Sequence, residues 1–111
     1  MIQTVRHPFF RRDVDGIANH ILDVTGGDVG AAVKRMEEID ALIASIVANP
    51  MSGTRLSPRW QGWMVRHGGT GQRLTIVFRP DTDGRVIYLA SVAFGGRDWM
   101  RITAARQAYF D

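Results

Sequence analysis

At Pro50 the spacing of apolar residues along this chain changes from the period of a helix to the period of a strand. Before Pro50, two apolar stripes repeat at steps of three and four residues, which predicts two amphipathic helices. The first stripe runs through residues 10–24 and the second through residues 32–46. After Pro50, apolar and polar residues alternate, which predicts strands. Helices followed by a run of strands are typical of an α+β domain.

The residues between the two stripes predict where each helix ends. Thr25-Gly26-Gly27 ends the first helix, because glycine adopts the left-handed conformation at a helix end at little cost. Asp28 can then cap the second helix, and Asn49-Pro50 ends it. We therefore expect an antiparallel helical hairpin packed on one face of a sheet.

The remaining elements are predicted to be a short N-terminal strand, three antiparallel strands and a short C-terminal helix. The predicted strands cover residues 2–6, 60–66, 73–79 and 85–94, and the helix lies within residues 98–110. The segment 85–94 is apolar on both faces, so we expect it to lie centrally in the sheet.

The bulk composition is that of one globular domain covering residues 1–111, with 45% hydrophobic residues. The chain has no cysteine, which excludes a disulfide framework and a thiolate metal site. No apolar run approaches the roughly 20 residues that a membrane helix needs. The N-terminus lacks the apolar core of a signal peptide. We expect a cytoplasmic protein without a membrane partner.

The two halves of the chain carry opposite net charge. Residues 1–50 hold 5 Lys/Arg and 7 Asp/Glu, a net charge of −2, and residues 51–111 hold 9 Arg and 4 Asp, a net charge of +5. This predicts an arginine-rich surface for nucleic acid or an acidic protein, unless the charge serves solubility alone. The charged run with Arg35 and Glu38 in the second helix is interpreted as a solvated helix face.

The histidines and glycines offer limited catalytic chemistry. None of the three histidines has a second His at zinc spacing, so we predict no metal and no cofactor. The "HGGTG" run at 67–71 joins two predicted strands, whereas phosphate-cradling loops join a strand to a helix, so we interpret it as a hairpin loop. His67 has Arg66 and Arg73 nearby in the sequence and could act as an acid or base.

Two tryptophans, Trp60 and Trp63, flank Gln61-Gly62 ahead of the basic strand. Aromatic residues among arginines can stack nucleobases, and they can equally pack in a core. Since successive side chains of a strand point to opposite faces, the two tryptophans could not share one face of a regular strand. One of them is then a candidate for an exposed site covered by a partner.

The ordered set of segments resembles the RelE/ParE superfamily of toxins from bacterial type II toxin–antitoxin modules. After the two helices come "GWMVRHGG", "RLTIVFR" and "VIYLASVAFGGRDW". The family's Pro-x-x-Gly after the second helix matches Pro50-Met51-Ser52-Gly53, and "GGRDW" at 95–99 resembles the "hGaRDW" ending of ParE-like members. The resemblance covers about residues 2–99 and leaves 100–111 as a C-terminal extension.

The resemblance implies a protein that inhibits DNA gyrase by binding it, as ParE-like members do, and that forms a hetero-oligomer with a cognate antitoxin. In this family one face of the sheet meets the target or the antitoxin. Arg97 and Asp98 would pair with neighbouring chain while Trp99 packs on the sheet edge; alternatively, Arg97-Asp98 caps a last helix. The residues expected to bind the target or antitoxin are Trp60, Trp63, Arg66, Arg79, Arg97, Asp98 and Trp99.

The RelE-like branch implies a different activity, ribosome-dependent cleavage of mRNA without a metal. His67 would then be the base, and Arg66, Arg73, Arg79 and Arg97 would hold the phosphate. The second half has no lysine, and no Tyr or His directly follows "GGRDW", which departs from the ribonuclease pattern. Arginine itself is a poor base, because its pKa exceeds 12. Whether the chain is an enzyme stays open, as does a third hypothesis, a non-toxic binding module of the same fold.

Overall fold

The helical hairpin forms at the predicted positions in a computed structural model that describes residues 2–57, 60–96 and 98–111. Helix α1 spans Phe10–Thr25 and helix α2 spans Val29–Ala48. Gly26 ends α1 in the left-handed conformation, with φ of 68°. The Asp28 side chain caps α2 by accepting a hydrogen bond from the backbone N–H of Ala31 at 3.0 Å. Both predicted boundaries are therefore confirmed.

A five-stranded sheet packs on the hairpin, which confirms the predicted α+β class. The strands are β1 (Gln3–Arg6), β2 (Thr54–Arg55), β3 (Met64–Gly68), β4 (Leu74–Pro80) and β5 (Val86–Phe94). Their order across the sheet is β1-β5-β4-β3-β2, with β1 parallel to β5 and the other neighbours antiparallel. Strand β5 is interior, as predicted from its apolar faces.

The predicted strand over residues 60–66 is wrong at its start, because residues 60–63 form a turn. Gly62 has φ of 83°, and the backbone N–H of Trp63 donates to the Trp60 carbonyl at 3.0 Å. The turn releases Trp60 and Trp63 from the alternation of a strand, so both pack into one cluster. The expectation that they lie on opposite faces is wrong for the same reason.

Each face of the sheet has its own apolar cluster. The core between the hairpin and the first face includes Phe10, Ile39 and Ile46 from the helices and Ile76, Phe78 and Leu89 from the strands. The second-face cluster consists of Trp63, Val65, Val77 and Ala90, with Leu56, Trp60, Tyr88, Trp99 and Phe110 packed against it.

A bulge in β5 lets this strand serve both clusters. The pairing of β4 with β5 shifts between Val77, which faces Ser91, and Phe78, which faces Leu89, so Ala90 is the extra residue. Because of this insertion, Leu89 and Val92 both point toward the hairpin, although they are three residues apart. Ala90 therefore points toward the second face and belongs to its cluster.

The C-terminal residues lie over the second face of the sheet. Helix α3 spans Trp99–Arg106, and a 3₁₀ turn follows at Gln107–Phe110, within the predicted range. The Asp98 carboxylate caps α3 by accepting a hydrogen bond from the Arg101 backbone N–H at 3.1 Å. Among the described residues, no helix is long and apolar enough to cross a membrane.

Candidate functional site

The residues proposed for RNA cleavage do not converge in the structure. Arg66 pairs with Ile76 in the β3–β4 register, so it lies on the hairpin side, where its Nη1 donates to Ser52 Oγ at 2.9 Å. His67, the next residue, lies on the opposite side, and its Nδ1 is 2.9 Å from Thr75 Oγ1. Neighbouring residues of a strand cannot act on the same phosphate from one face.

Arg79 is engaged by the chain's own C-terminus. Its guanidinium carbon lies 5.0 Å from the ring centre of Trp63 and 5.2 Å from that of Tyr88. Its Nη2 donates to the Phe110 carbonyl at 3.1 Å, and its Nη1 lies 3.2 Å from the Asp111 carboxylate. Arg79 therefore stabilises the C-terminal segment through hydrogen bonds and a cation–π contact.

The resemblance implies that a target or antitoxin meets one face of the sheet, and residues 99–111 pack over the part of the second face that carries Trp63 and Tyr88. Phe110 lies with its ring centre 5.5 Å from that of Trp63 and 5.4 Å from that of Tyr88. Trp63 is only 3% exposed as a result. A partner can reach the part of this face around Trp63 and Tyr88 only if the C-terminal segment moves away, whereas His67, on the same face, is exposed.

The "GGRDW" segment, residues 95–99, leads into helix α3 and the C-terminal residues that pack on the second face. Asp98 is the N-cap of α3, in line with the capping alternative, and Trp99 is half-buried against the second-face cluster. Thr103 Oγ1 donates to the Trp99 carbonyl at 2.9 Å. The predicted pairing of Arg97 with neighbouring chain lies outside the described residues.

An ion pair between α1 and α3 closes part of the β5 edge. Strand β1 pairs with β5 only as far as Leu89, so the next backbone groups of that edge need other partners. The Asp13 carboxylate accepts from the Val92 N–H at 3.3 Å, and Arg106 Nη1 donates to the Ala90 carbonyl at 2.9 Å. Asp13 and Arg106 also bind each other through both oxygens and both terminal nitrogens, at 2.6 and 2.9 Å.

His7 lies beside this ion pair and contacts the C-terminal turn. Its ring centre is 4.9 Å from that of Tyr109, and its Nδ1 accepts a hydrogen bond from the Phe9 backbone N–H at 3.1 Å. Burial lowers the pKa of His7, the positive charge of Arg106 lowers it further, and Asp13 partly opposes both effects. Neutral His7 is therefore the form that fits this contact.

A cleft of about 800 Å³ opens between α1, α2 and the end of β5. Ile17, Ile21 and Val24 of α1 line it with apolar surface, and Phe94 lines it from β5. The guanidinium carbons of Arg35 and Arg73 lie 4.8 and 5.7 Å from the centre of the Phe94 ring. His20 also lines this cleft.

The run with Arg35 and Glu38 is not a fully solvated helix face, contrary to the sequence-based interpretation. Their side chains are 17% and 15% exposed and are joined at 2.6 Å. Glu38 also accepts from the Thr70 backbone N–H at 3.0 Å, which anchors the 67–71 loop. Burial alone would raise the pKa of Glu38, but the hydrogen bonds from Thr70 and the charge of Arg35 lower it on balance.

The contacts at the β5 edge were not predicted from the sequence. Asp13 and Arg106 are 93 residues apart, so no local spacing connects them. Within residues 2–57, 60–96 and 98–111, no three His, Asp or Glu side chains are grouped so that they could hold a metal ion. The comparisons with models of known protein families and with curated proteins give no match to this sequence.

Proposed function

We propose that this protein is the toxin of a bacterial type II toxin–antitoxin module, ParE-like, which binds and inhibits DNA gyrase and is neutralised by a cognate antitoxin. The observation that carries the proposal is the order strand, hairpin, antiparallel strands, which the resemblance implies and the chain adopts. The Pro-x-x-Gly turn supports it, because Gly53 lies where a Cβ would be 2.8 Å from the Phe78 ring. Such a toxin would act in the cytoplasm.

Binding is favoured over RNA cleavage because the candidate catalytic side chains point in different directions. Arg66 and His67 lie on opposite faces of β3, and Arg79 is held by the C-terminal residues. A general base and its phosphate ligands have to surround one reacting group. A protein that acts by occupying a surface of its target has no such requirement.

The first test is supercoiling of relaxed plasmid by purified DNA gyrase, titrated with the folded protein. We expect inhibition that rises with protein concentration, or trapped cleaved DNA. Normal supercoiling at a large excess of folded protein would contradict the proposal for the gyrase tested. Degradation of mRNA in a ribosome-containing reaction would then favour the RelE-like alternative, and failure of both assays would favour a non-toxic binding module.

Matched variants separate the two toxic activities. His67→Gln removes the proposed base at an exposed position and should leave gyrase inhibition unchanged. Arg97→Gln tests the "GGRDW" segment, with Arg101→Gln as the control of equal charge on the exposed side of α3. Loss of inhibition in Arg97→Gln but not in Arg101→Gln would assign the target contact to that segment, and equal inhibition by both would remove the segment from the target interface.

A further inference from the structure

A surface that suits an acidic partner lies beside the sheet, between the hairpin and the end of β5. The hairpin covers the first face, and residues 99–111 cover the part of the second face around Trp63 and Tyr88. The cleft between α1, α2 and the end of β5 is a concave region of about 800 Å³. It combines apolar walls from α1 with the side chains of Arg35 and Arg73.

The cleft carries positive charge without a lining carboxylate. The charged residues that line it are Arg35 and Arg73, and no Asp or Glu is among the described lining residues. Arg35 Nη1 is paired with Glu38, but the buried Arg35 Nε–H has no acceptor among the described residues. A buried donor without a partner is costly, so a ligand that supplies an oxygen acceptor here would remove that cost. These features select an anionic ligand.

The cleft also borders an uncovered stretch of the β5 edge. Gly95 donates its backbone N–H to the Arg73 carbonyl at 2.9 Å, so residues 91, 93 and 95 direct their backbone groups toward β4. Val92 donates in the opposite direction, to Asp13. By the same alternation, the N–H and C=O of Phe94 face away from β4, beyond the reach of β1, which stops at Leu89.

The strand edge distinguishes a peptide from a small anion. Only a peptide backbone supplies the alternating donor and acceptor that pair with the N–H and C=O of Phe94. Gly95 and Gly96 lie beside this edge, and a Cβ built at either position meets nothing within 4 Å. A second chain can therefore approach this edge without a steric clash at Gly95 or Gly96, next to Arg35 and Arg73.

We infer that this cleft binds an extended acidic peptide segment, which pairs with the β5 edge at Phe94 and places a carboxylate between Arg35 and Arg73. An apolar side chain of the segment packs against Val24 and Phe94. The inference rests on the proposed function only in the statement that this segment belongs to the antitoxin. Charge attraction and main-chain pairing supply the recognition, and the apolar contact adds affinity.

The test is a fluorescence-anisotropy titration of the full chain with a fluorescein-labelled peptide of alternating Glu and Val residues. Arg73→Gln should weaken binding about tenfold or more, the effect of losing one charge-assisted hydrogen bond. Arg85→Gln is the matched control, because it removes another exposed arginine, which lies in the β4–β5 turn. Arg73 has an exposed side chain, so circular dichroism should show an unchanged fold. Equal loss in both variants would mean unspecific charge attraction and would overturn the inference.

Two further probes test the main-chain pairing. The same peptide with N-methylated backbone amides cannot donate to Phe94 and should bind at least about tenfold more weakly. Equal binding of that peptide, or competition by inorganic phosphate at the peptide's own affinity, would indicate a simple anion site and overturn the inference. Amide NMR should show the bound peptide at Phe94–Gly96. Gyrase inhibition without peptide binding would overturn the inference alone, whereas peptide binding without gyrase inhibition would support it and contradict the proposed target.

Discussion

Gly53, at the end of the Pro-x-x-Gly turn, packs so closely on the core that a side chain does not fit. A Cβ there would lie 2.8 Å from Phe78 Cζ and 2.9 Å from Met64 Cβ, and Phe78 is fully buried. We expect Gly53→Ala to lower the free energy of unfolding by about 1–3 kcal/mol, the usual cost of overpacking. Urea denaturation measures this change in the free energy of unfolding.

The matched control is Gly16→Ala, because a Cβ at Gly16 meets nothing within 4 Å. Gly16 lies inside α1, where alanine is the better helix former, so this change should raise the free energy of unfolding by about 0.5–1 kcal/mol. A Gly53→Ala variant as stable as the original chain would contradict the close packing of the turn on Phe78.

His7 makes the stability of the fold depend on pH. Its pKa in the folded protein lies below the ordinary value of 6.5, so the unfolded chain takes up this proton first as the pH falls. The free energy of unfolding should therefore be fully retained above pH 6.5 and should decrease as the pH falls from there toward the folded pKa. Urea denaturation between about pH 7.5 and 5.5 measures the slope.

Two variants identify the group that causes this slope. His7→Gln removes the titrating ring and should flatten the dependence on pH, whereas His67→Gln leaves the His7 ring and its contacts in place and should keep it. A slope that is unchanged in His7→Gln would show that another group is responsible.

At the scale of elements, the C-terminal segment depends on Phe110 for its attachment. Phe110 contacts the rings of Trp63 and Tyr88, whereas its neighbour Tyr109 is 57% exposed. Phe110→Ala should lower the free energy of unfolding by about 2 kcal/mol, which is less than for truncation of a fully buried ring. The amides of α3 should then exchange with deuterium at least about tenfold faster. Tyr109→Ala is the control and should have a smaller effect; equal exchange rates of α3 in Phe110→Ala and the original chain would contradict this attachment.

Sequence reasoning correctly predicted the elements whose apolar residues repeat with a regular spacing over many residues. Helices α1 and α2 each repeat an apolar stripe over several turns and have glycine or aspartate at their ends, so both were placed correctly. Strand β2 was missed because two residues carry no period. The turn at 60–63 was predicted as a strand because the backbone conformation of Gly62 is invisible in an apolar–polar pattern.

The candidate site was less predictable than the fold, because it depends on contacts between distant segments. The charge of the second half suggested one basic surface, but Arg79 and Arg106 are paired with Asp111 and Asp13 inside the chain. Arg35, from the acidic half, lines the cleft with Arg73 from the basic half. A sum of charges along the chain cannot show which of them neutralise each other in the folded state.

At the scale of the whole molecule, the pair of Asp13 and Arg106 couples the two faces of the sheet. Asp13 belongs to α1 on the first face, and Arg106 belongs to α3 on the second. The side chains are 11% and 12% exposed, so removing one partner leaves a buried charge uncompensated. Such a loss costs about 3–5 kcal/mol when the pair is fully buried, and about 3 kcal/mol is expected here.

The coupling predicts how the molecule unfolds, because its three tryptophans all pack in or against the second-face cluster. Tryptophan fluorescence therefore reports mainly on that face, whereas far-ultraviolet circular dichroism is dominated by α1 and α2. In the original chain the two urea transitions should coincide, as for one cooperative unit. In Arg106→Gln the fluorescence midpoint should fall below that of circular dichroism, because α3 detaches while the hairpin stays packed; Arg101→Gln should keep the two together. Coincident transitions in Arg106→Gln would show that the sheet alone couples the unfolding of its two faces and that the ion pair does not contribute.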